Sequence, residues 1–313
     1  METIIKMKAL MLSVMMFVLS SCVFALDPIK YLDENGNEQT VTNYKFLTGE
    51  ETMLTRGWYV VKGRVEFERE AYKTVEVRGN VHLILMDDSE CVLNGYGCGF
   101  DGKDLGSKMY IYTQSHGKHE GKMTFEKINT WYCFYMDELY IYGGTYILDK
   151  WNKDCSGIWA TNAVLKNCTM ELACDKTAIL VENSLVTDGV DLTIKALNTG
   201  VHAESWTIKN TDRMSKIEVY SFYGNEVSEP IKLPDGMEVT IGDDKYTDSV
   251  PAEVFNEKKN IINVYDPITS VETISHDVFL ENSGWYTLNG IRLNVKPTSA
   301  GIYIHGGRKV IVR

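Results

Sequence analysis

Three segments of the chain, 158–167, 179–188 and 201–210, repeat one pattern of apolar and turn-forming residues. Their first residues are 21 and then 22 residues apart. Each segment begins with an aliphatic residue, carries a second apolar residue seven positions later, and ends in Asn or Asp. The aligned residues are Ile158, Ile179 and Val201, then Leu165, Val186 and Ile208, and finally Asn167, Asp188 and Asn210.

A period near 21 residues, built of short alternating runs separated by Asn, Gly and Asp, is typical of a β-solenoid. One unit is too small to bury its own apolar face, so neighbouring coils must stack into a continuous core. The alternative is a sandwich of unrelated short strands. Three aligned units favour the solenoid, and we expect an all-β protein built on a single-stranded, right-handed parallel β-helix.

Earlier copies of the unit precede these segments. Segment 139–145 matches 163–169 and aligns Ile141 with Leu165, and 109–112 is an earlier copy still. The repeat therefore extends toward the N-terminus from the three clearest units.

Four regions divide the chain on this pattern. Residues 1–25 form an export signal, 26–56 a polar lead-in or cap, 57–265 the β-helix, and 266–313 a linker followed by a short β-rich domain. The repeat fades from Ile217. Because the end of a solenoid is an open sheet edge that needs covering, we expect the last part of the β-helix region to form a C-terminal cap.

The N-terminal apolar run, 9–19, follows two lysines and is too short to span a bilayer, as in a signal peptide. Two processing routes are open. Residues 19–22 resemble a bacterial lipobox, in which Cys22 would be acylated. Residues 23–25 offer small side chains for ordinary cleavage, which we favour because a second targeting signal lies at the other end.

Seven cysteines are present, and removal of Cys22 leaves an even number in an exported protein, where disulfides can form. The nearest pairs along the chain are Cys91 with Cys98 and Cys168 with Cys174. Free thiols also serve as small apolar fillers of a stacked core, and we favour that role.

Composition and net charge bear on the class of partner that the chain can bind. The chain is 44% hydrophobic and 24% charged, which is ordinary for a globular protein. Its formal net charge of −11 argues against nucleic acid, whose binding depends on neutralising phosphates with Lys and Arg.

Gly57-Trp-Tyr-Val-Val-Lys-Gly63 and the segment 74–85 resemble the opening coils of exported bacterial β-helix proteins, which are often described as adhesin-like or carbohydrate-binding. Tyr142-Gly-Gly-Thr145 is the clearest later match, and the resemblance covers about residues 57–225. It implies the architecture and a non-catalytic role in binding carbohydrate or a host surface.

The C-terminal stretch resembles a different family. Trp285-Tyr-Thr-Leu-Asn-Gly-Ile-Arg292, Pro297 and the segment 301–313 predict three short strands joined by glycine turns. They are similar to the C-terminal sorting domain of the type IX secretion system of Bacteroidota. The resemblance implies passage across the outer membrane, followed by surface attachment or release; the alternative is a plain capping hairpin.

An enzyme is the competing class. Thr187-Asp-Gly-Val-Asp191 resembles a segment of polygalacturonases, and an inverting hydrolase needs two carboxyl groups about 6.5–9.5 Å apart, here Asp188 and Asp191. The further Asp-Asp pair, Gly-His-Gly and Arg-Ile-Lys of that family are missing, and Asp-Gly is ordinary turn chemistry. A pectinase-like hydrolase or lyase is therefore the weaker alternative.

Metal and cofactor signals are poor. The pair His116 and His119 lies in a Gly/Lys-rich loop with no third ligand nearby, and the paired acids Asp87 and Asp88 fall short of the six to eight oxygens that calcium takes. Nucleotide-binding glycine patterns are missing from the sequence. We expect neither a metal nor a cofactor.

Four tyrosines form the candidate ligand-binding site. They alternate with Ile111 and Ile141, so inward isoleucines would place the tyrosines on the outside of stacked coils. Exposed aromatic rings stack on sugars and recur on recognition surfaces. Two alternatives remain: the tyrosines pair across strands to stabilise the sheet, or the insertion 113–138 covers them. The four residues are Tyr110, Tyr112, Tyr140 and Tyr142.

We therefore expect an exported protein, located at the cell surface, at the outer membrane or outside the cell. Its partners would be a polysaccharide or glycan surface and the secretion machinery that reads the C-terminal domain. Contact with a membrane would come only through a lipid on Cys22 or through the sorting anchor. A structural surface-layer protein without a small ligand is a third alternative.

Overall fold

The computed structural model describes residues 27–69, 73–95, 99–126, 132–148, 154–213, 215–235, 237–241, 244–256, 263–265, 285–287, 292–293, 297, 301–305 and 308–312. Most of these residues lie in strands, and about seven turns of chain stack in parallel as a β-solenoid. The expected β-solenoid is confirmed. The chain divides into two compact units, one ending at Tyr265 and one spanning Asp266–Arg313. Residues 1–25, with Cys22, lie outside the described residues.

Twenty strands make the solenoid and the hairpin that precedes it. In chain order they are β1 Ile29–Leu32, β2 Glu38–Val41, β3 Lys45–Phe46, β4 Met53–Val61, β5 Arg64–Arg69, β6 Val75–Leu85, β7 Glu90–Gly95, β8 Phe100–Gly102, β9 Lys108–Thr113, β10 Lys122–Glu126, β11 Tyr132–Tyr142, β12 Thr145–Leu148, β13 Ser156–Lys166, β14 Thr169–Cys174, β15 Ile179–Asp188, β16 Asp191–Ala196, β17 Thr199–Lys209, β18 Lys216–Ser221, β19 Gly224–Val227 and β20 Ile231–Lys232.

Each coil contributes to three faces. The short strands β5, β7, β10, β12, β14, β16 and β18 pair in parallel as one sheet, which we call face C. The long strands form the other sheet, but their two halves pair separately. The first half of β11 pairs with β8 and its second half with β9. We call the ladder of first halves face A and the ladder of second halves face B.

The strand register confirms most of the repeat and corrects one part of it. Ile158, Ile179 and Val201 are paired in successive coils, as aligned. Strand β15 carries one extra residue between Val181 and Ser184, so Leu165 pairs with Thr187 and not with Val186. An alignment at constant spacing assumes that no strand carries an extra residue. A bulge breaks that assumption, because each residue after it faces the side opposite to the one that the spacing predicts. The residues aligned were Leu165, Val186 and Ile208; those stacked are Leu165, Thr187 and Ile208.

The corner between faces B and C has a positive φ in three successive coils. Gly143, Asn167 and Gly189 stack there with φ values of 113°, 51° and 60°. Only glycine, and to a lesser extent Asn, adopts this region readily. The backbone N–H of Asn167 donates to the Asp188 carbonyl at 2.8 Å, and that of Gly143 to Lys166 at 2.9 Å. The corner thus keeps its shape while its residues change.

Inward side chains from all three faces make one continuous core. Its largest fully buried members include Trp206, Tyr146 and several phenylalanines. The five described cysteines are all buried in this core: Cys91, Cys133, Cys155, Cys168 and Cys174. Cys168 and Cys174, a nearest pair along the chain, are not joined by a disulfide. Burial raises the pKa of Cys91 and of Cys168 to about 12, so both stay protonated and act as small apolar fillers. Cys98 lies outside the described residues.

The C-terminal end of the solenoid is covered. Strands β21 (Glu238–Ile241), β22 (Asp244–Tyr246), β23 (Ser249–Val250) and β24 (Asn263–Tyr265) and helix α1 (Ala252–Asn256) follow the last coils. Phe255 of α1 packs edge-on against Trp206 at 5.3 Å. The Asn256 amide accepts from the Val227 backbone N–H at 2.8 Å and donates to its carbonyl at 2.9 Å. These bonds satisfy backbone groups of β19.

The second unit contains a four-stranded antiparallel sheet in the order β26-β25-β27-β28. Its strands are β25 Trp285–Thr287, β26 Arg292–Leu293, β27 Gly301–His305 and β28 Arg308–Val312. Three strands were expected, and the run 285–292 supplies one strand and the start of a second. Among the described residues, no helix has the length and apolar character that crossing a membrane requires.

Candidate binding surfaces of the solenoid

The four predicted tyrosines lie on the outer side of face B, in two columns. Tyr110 pairs with Tyr140 and Tyr112 with Tyr142 in adjacent coils, while Ile111 points into the core. The ring centroids of Tyr110 and Tyr140 are 4.7 Å apart at 7°, and those of Tyr112 and Tyr142 are 5.5 Å apart at 30°. The rings therefore stack on one another along the solenoid axis.

The first column continues toward the N-terminus. His82 stacks on Tyr110 at 4.7 Å and Trp58 stacks on His82 at 4.4 Å. Burial between these rings lowers the pKa of His82 and so favours its neutral form. The ring faces are turned to their neighbours, which leaves mainly ring edges and hydroxyl groups for a ligand.

The hairpin β1–β2 and the residues after it cover the second column. Ile29, Tyr31 and Tyr44 pack with Tyr112, which is only 5% exposed. The Gln114 side chain donates to the Lys30 carbonyl at 3.0 Å and ties the hairpin to the coils. Residues N-terminal to the solenoid therefore cover this column; cover by the insertion 113–138 was one of the alternatives that the sequence left open.

Burial is the largest cause of the raised pKa values of Tyr112, Tyr140 and Tyr142. Burial raises the pKa of Tyr142 to about 12 and raises the pKa of Tyr112 further. The pKa of Tyr140 is raised first by burial and then by the hydrogen bond from its hydroxyl to Glu138, at 2.7 Å. All three are neutral in ordinary buffers. Their stacking supports the sheet, and their role in ligand binding stays a prediction.

The two acids of the enzyme alternative lie in different settings. Asp188 is 5% exposed at the corner between faces B and C, where its carboxylate accepts from the Thr211 backbone N–H at 2.7 Å and the Thr211 hydroxyl at 2.8 Å. Asp191 begins β16 and pairs with Thr169 and Lys216 on face C. The Asp188 carboxylate holds the following coil in place.

Other charged groups gather at the same corner. The Lys166 ammonium lies 3.0 Å from Asp212 and 3.7 Å from Asp188. Arg213 donates to the carbonyls of Gly189 and Cys168. Each of these groups spans neighbouring coils, which is the arrangement of a structural ion-pair network.

Face A carries a second aromatic cluster, which we call the Trp159 surface: Tyr132, Tyr135 and Trp159. Tyr135 and Trp159 are neighbours in register, and their centroids lie 5.2 Å apart at 65°. Tyr132 contacts Trp159 edge-on at 5.0 Å and stacks on Tyr135 at 5.3 Å. All three are partly exposed. In contrast to the near-parallel rings of the first face B column, both contacts of the indole with these tyrosines are T-shaped.

A charged network fixes the indole. Trp159 Nε1–H donates to Glu182 Oε1 at 2.9 Å, and the other oxygen of Glu182 accepts from Lys103 Nζ at 2.9 Å. The Lys103 side chain is only 7% exposed and also lies 3.8 Å from Asp137. The hydrogen bond from Lys103 lowers the pKa of Glu182, so the carboxylate stays charged.

A cleft adjoins the Trp159 surface at the corner between faces C and A. Its volume is about 270 Å³, and we call it the corner cleft. Its hydroxyl and amide groups can donate and accept, and its charged pair, Asp154 with Lys176, is 3.0 Å apart. It is lined by Tyr132, Asp154, Ser156, Lys176, Thr177, Leu180 and Asn198. The cleft therefore combines one aromatic side chain, that of Tyr132, with mainly polar groups.

A second cavity, of about 330 Å³, opens on face C. Glu171, Thr193 and Lys195 supply its polar groups, and aliphatic residues line the rest. It lacks an aromatic wall among the described residues, and we rank it below the corner cleft. Within those residues, no group of three or more His, Cys, Asp or Glu is placed to hold a metal ion.

Comparison with known protein families, with curated proteins and with solved structures finds no match to this chain.

Trp159 and Tyr132 were visible in the sequence as aromatic residues, but not as one site. Tyr135 and Trp159 are 24 residues apart and lie at equivalent positions of adjacent coils. This spacing, close to the repeat period, was the one sequence pattern that could have indicated their contact. The contributions of Lys103 and Glu182 come from coils far apart along the chain, so no local pattern marked them. Trp131 and Trp151 lie outside the described residues.

Proposed function

We propose that this protein binds carbohydrate without catalysis, through the Trp159 surface and the corner cleft. The observation that carries the proposal is a fixed indole beside two tyrosines and a polar cleft. Aromatic rings offer apolar faces to sugar C–H groups, and nearby hydroxyl and amide groups match sugar hydroxyls. The Glu182 contact pre-organises the indole, which reduces the entropy lost on binding.

We further propose that the binding surface lies outside the cell. The apolar run 9–19 supports export, and the C-terminal motifs at 285–313 support recognition by a type IX-like secretion machinery in a Bacteroidota host. Mass spectrometry of both termini after cell fractionation tests this part. Removal of the signal and release or anchoring at the C-terminal domain are expected, whereas a periplasmic form that retains Arg313 contradicts sorting.

Binding of the full chain to immobilised laminarin, xylan, glucomannan and polygalacturonate tests the main claim. We expect retention on at least one polysaccharide and its loss in Trp159→Ala. Assays for reducing sugar and unsaturated uronate on the same panel are expected to stay at background. Product formation that depends on Asp188 and Asp191 would instead support the hydrolase or lyase.

A further inference from the structure

Several large apolar side chains remain exposed on the last coils of the solenoid. Tyr223 is 67% exposed and Phe222 51%, and their ring centroids lie 5.0 Å apart. Leu197 lies beside them on the preceding coil, and Tyr220 on face C adjoins the same corner; they are 44% and 45% exposed. We call this group, Leu197, Tyr220, Phe222 and Tyr223, the Tyr223 patch.

The Tyr223 patch lies along the same corner as the corner cleft. The Tyr223 backbone N–H donates to the carbonyl of Asn198 at 3.3 Å, and Asn198 lines the cleft. At the other end of the cleft, Tyr132 belongs to both the cleft lining and the Trp159 surface. The cleft is therefore bordered by aromatic groups at both ends.

This corner advances by one coil at a time, through residues 132, 154–156, 176–177, 197–198 and 222–223. Neighbouring strands are about 4.8 Å apart, so the four steps span about 19 Å along the axis. The span is too long for one sugar ring and is suited to a chain of several.

Aromatic side chains lie at both ends of this line. Between them lie the hydroxyl or amide groups of Ser156, Thr177 and Asn198 and the ion pair of Asp154 with Lys176. A linear glycan presents the matching sequence, since each ring has apolar C–H faces and hydroxyl groups that both donate and accept. A folded partner protein would more often require an unbroken apolar patch at the centre.

We propose that the Trp159 surface, the corner cleft and the Tyr223 patch form one extended site that binds the interior of an unbranched glycan chain laid parallel to the solenoid axis. This inference rests on the proposed function and specifies its ligand as a chain rather than a terminal sugar. Affinity should then grow with chain length until the Tyr223 patch is reached.

The test is a competition assay in which oligosaccharides compete with the parent polysaccharide for the full-length protein. The competitors are fragments of laminarin, xylan, glucomannan and polygalacturonate, separated by size from disaccharide to hexasaccharide. For wild-type protein we expect affinity to rise about tenfold or more between disaccharide and hexasaccharide. In Phe222→Ala/Tyr223→Ala that gain is expected to disappear while disaccharide affinity stays unchanged. Both side chains are exposed, so the variant should fold.

Phe46→Ala is the matched control, because Phe46 is an exposed aromatic residue (39%) near the first coil. It should keep the full dependence of affinity on chain length.

Equal affinity for all fragments, or an unchanged gain in the double variant, overturns the extended site even where polysaccharide binding persists. Loss of self-association in the double variant, seen by analytical ultracentrifugation, would instead identify the patch as an interface between copies. Absence of all polysaccharide binding in wild-type protein is a failure of the proposed function itself.

Discussion

The indole of Trp159 and the carboxylate of Glu182 are joined across adjacent coils by a 2.9 Å hydrogen bond from Nε1–H to Oε1. Because Lys103 holds the other oxygen of Glu182, the indole is oriented by a charge that is itself fixed. An aromatic ring held in this way is suited to binding, since little rotational freedom remains to be lost.

Glu182→Gln should weaken this arrangement in a pH-dependent way. The pKa of Glu182 is lowered in the folded protein from its ordinary value of 4.5, so its stabilising effect is complete above that value and is lost as pH falls through the folded-state pKa. We expect the melting-temperature difference between wild type and variant to be constant from pH 7 down to about 5 and to shrink below it. Differential scanning calorimetry checks this. A difference independent of pH would show that the charge on Glu182 does not matter.

Thr187→Val should destabilise the core. The Thr187 hydroxyl accepts from the buried Trp206 indole N–H at 3.0 Å, so valine leaves that donor without a partner. We expect a loss of about 1–3 kcal/mol in the free energy of unfolding, measured with urea. Thr193→Val on the outer side of face C is the control and should change stability by less than about 0.5 kcal/mol. Equal effects would contradict the assigned hydrogen bond.

Gly143→Ala should disturb the corner between faces B and C more than backbone strain alone. A Cβ atom there would lie 2.3 Å from Thr113 Oγ1, in addition to the unfavourable φ of 113°. Gly36→Ala isolates the strain, because its φ is 77° and no atom lies within 4 Å of the added Cβ. We expect the free energy of unfolding to fall by about 1–2 kcal/mol in Gly36→Ala and by more in Gly143→Ala. Urea unfolding of both variants checks this order, and an equal loss in the two variants would contradict the contact with Thr113.

Alkaline titration should reveal the stacked tyrosines. The pKa of Tyr142 is raised from its ordinary value of 10.0 to about 12, so burial of the neutral phenol contributes stability below pH 10 that is lost as pH rises toward 12. Absorbance of tyrosinate should therefore lag behind that of the urea-unfolded chain. A Tyr142→Phe variant should lose one late-titrating group. Superimposable folded and unfolded curves would contradict the packing of face B.

The sequence was informative where the repeat itself carries the structure. Ile158, Ile179 and Val201 stack as their spacing predicts, because a solenoid pairs residues one period apart. The extra residue of β15 was not predictable from the spacing. The bulge places Thr187 inside the core, where its hydroxyl accepts a hydrogen bond from Trp206, and this contact depends on side chains of another coil. Spacing alone also could not show that Tyr31 from the N-terminal hairpin packs on face B.

The candidate site was only partly foreseen for the same reason. Alternation with isoleucine correctly placed Tyr110 and Tyr140 outward, but their stacking at 4.7 Å depends on how side chains from two coils meet. The Trp159 surface needs Lys103 and Glu182, which lie 79 residues apart in sequence. Contacts at that separation follow from coil stacking and leave no local pattern.

The most direct test compares Trp159→Ala on face A with Tyr140→Ala on face B. Circular dichroism first confirms that both variants are folded. Isothermal titration calorimetry then measures their affinity for the polysaccharide fragment that binds wild-type protein. We expect at least a tenfold weaker affinity for Trp159→Ala and an unchanged affinity for Tyr140→Ala. The opposite pattern would place the ligand on the tyrosine columns and contradict the assignment of the Trp159 surface.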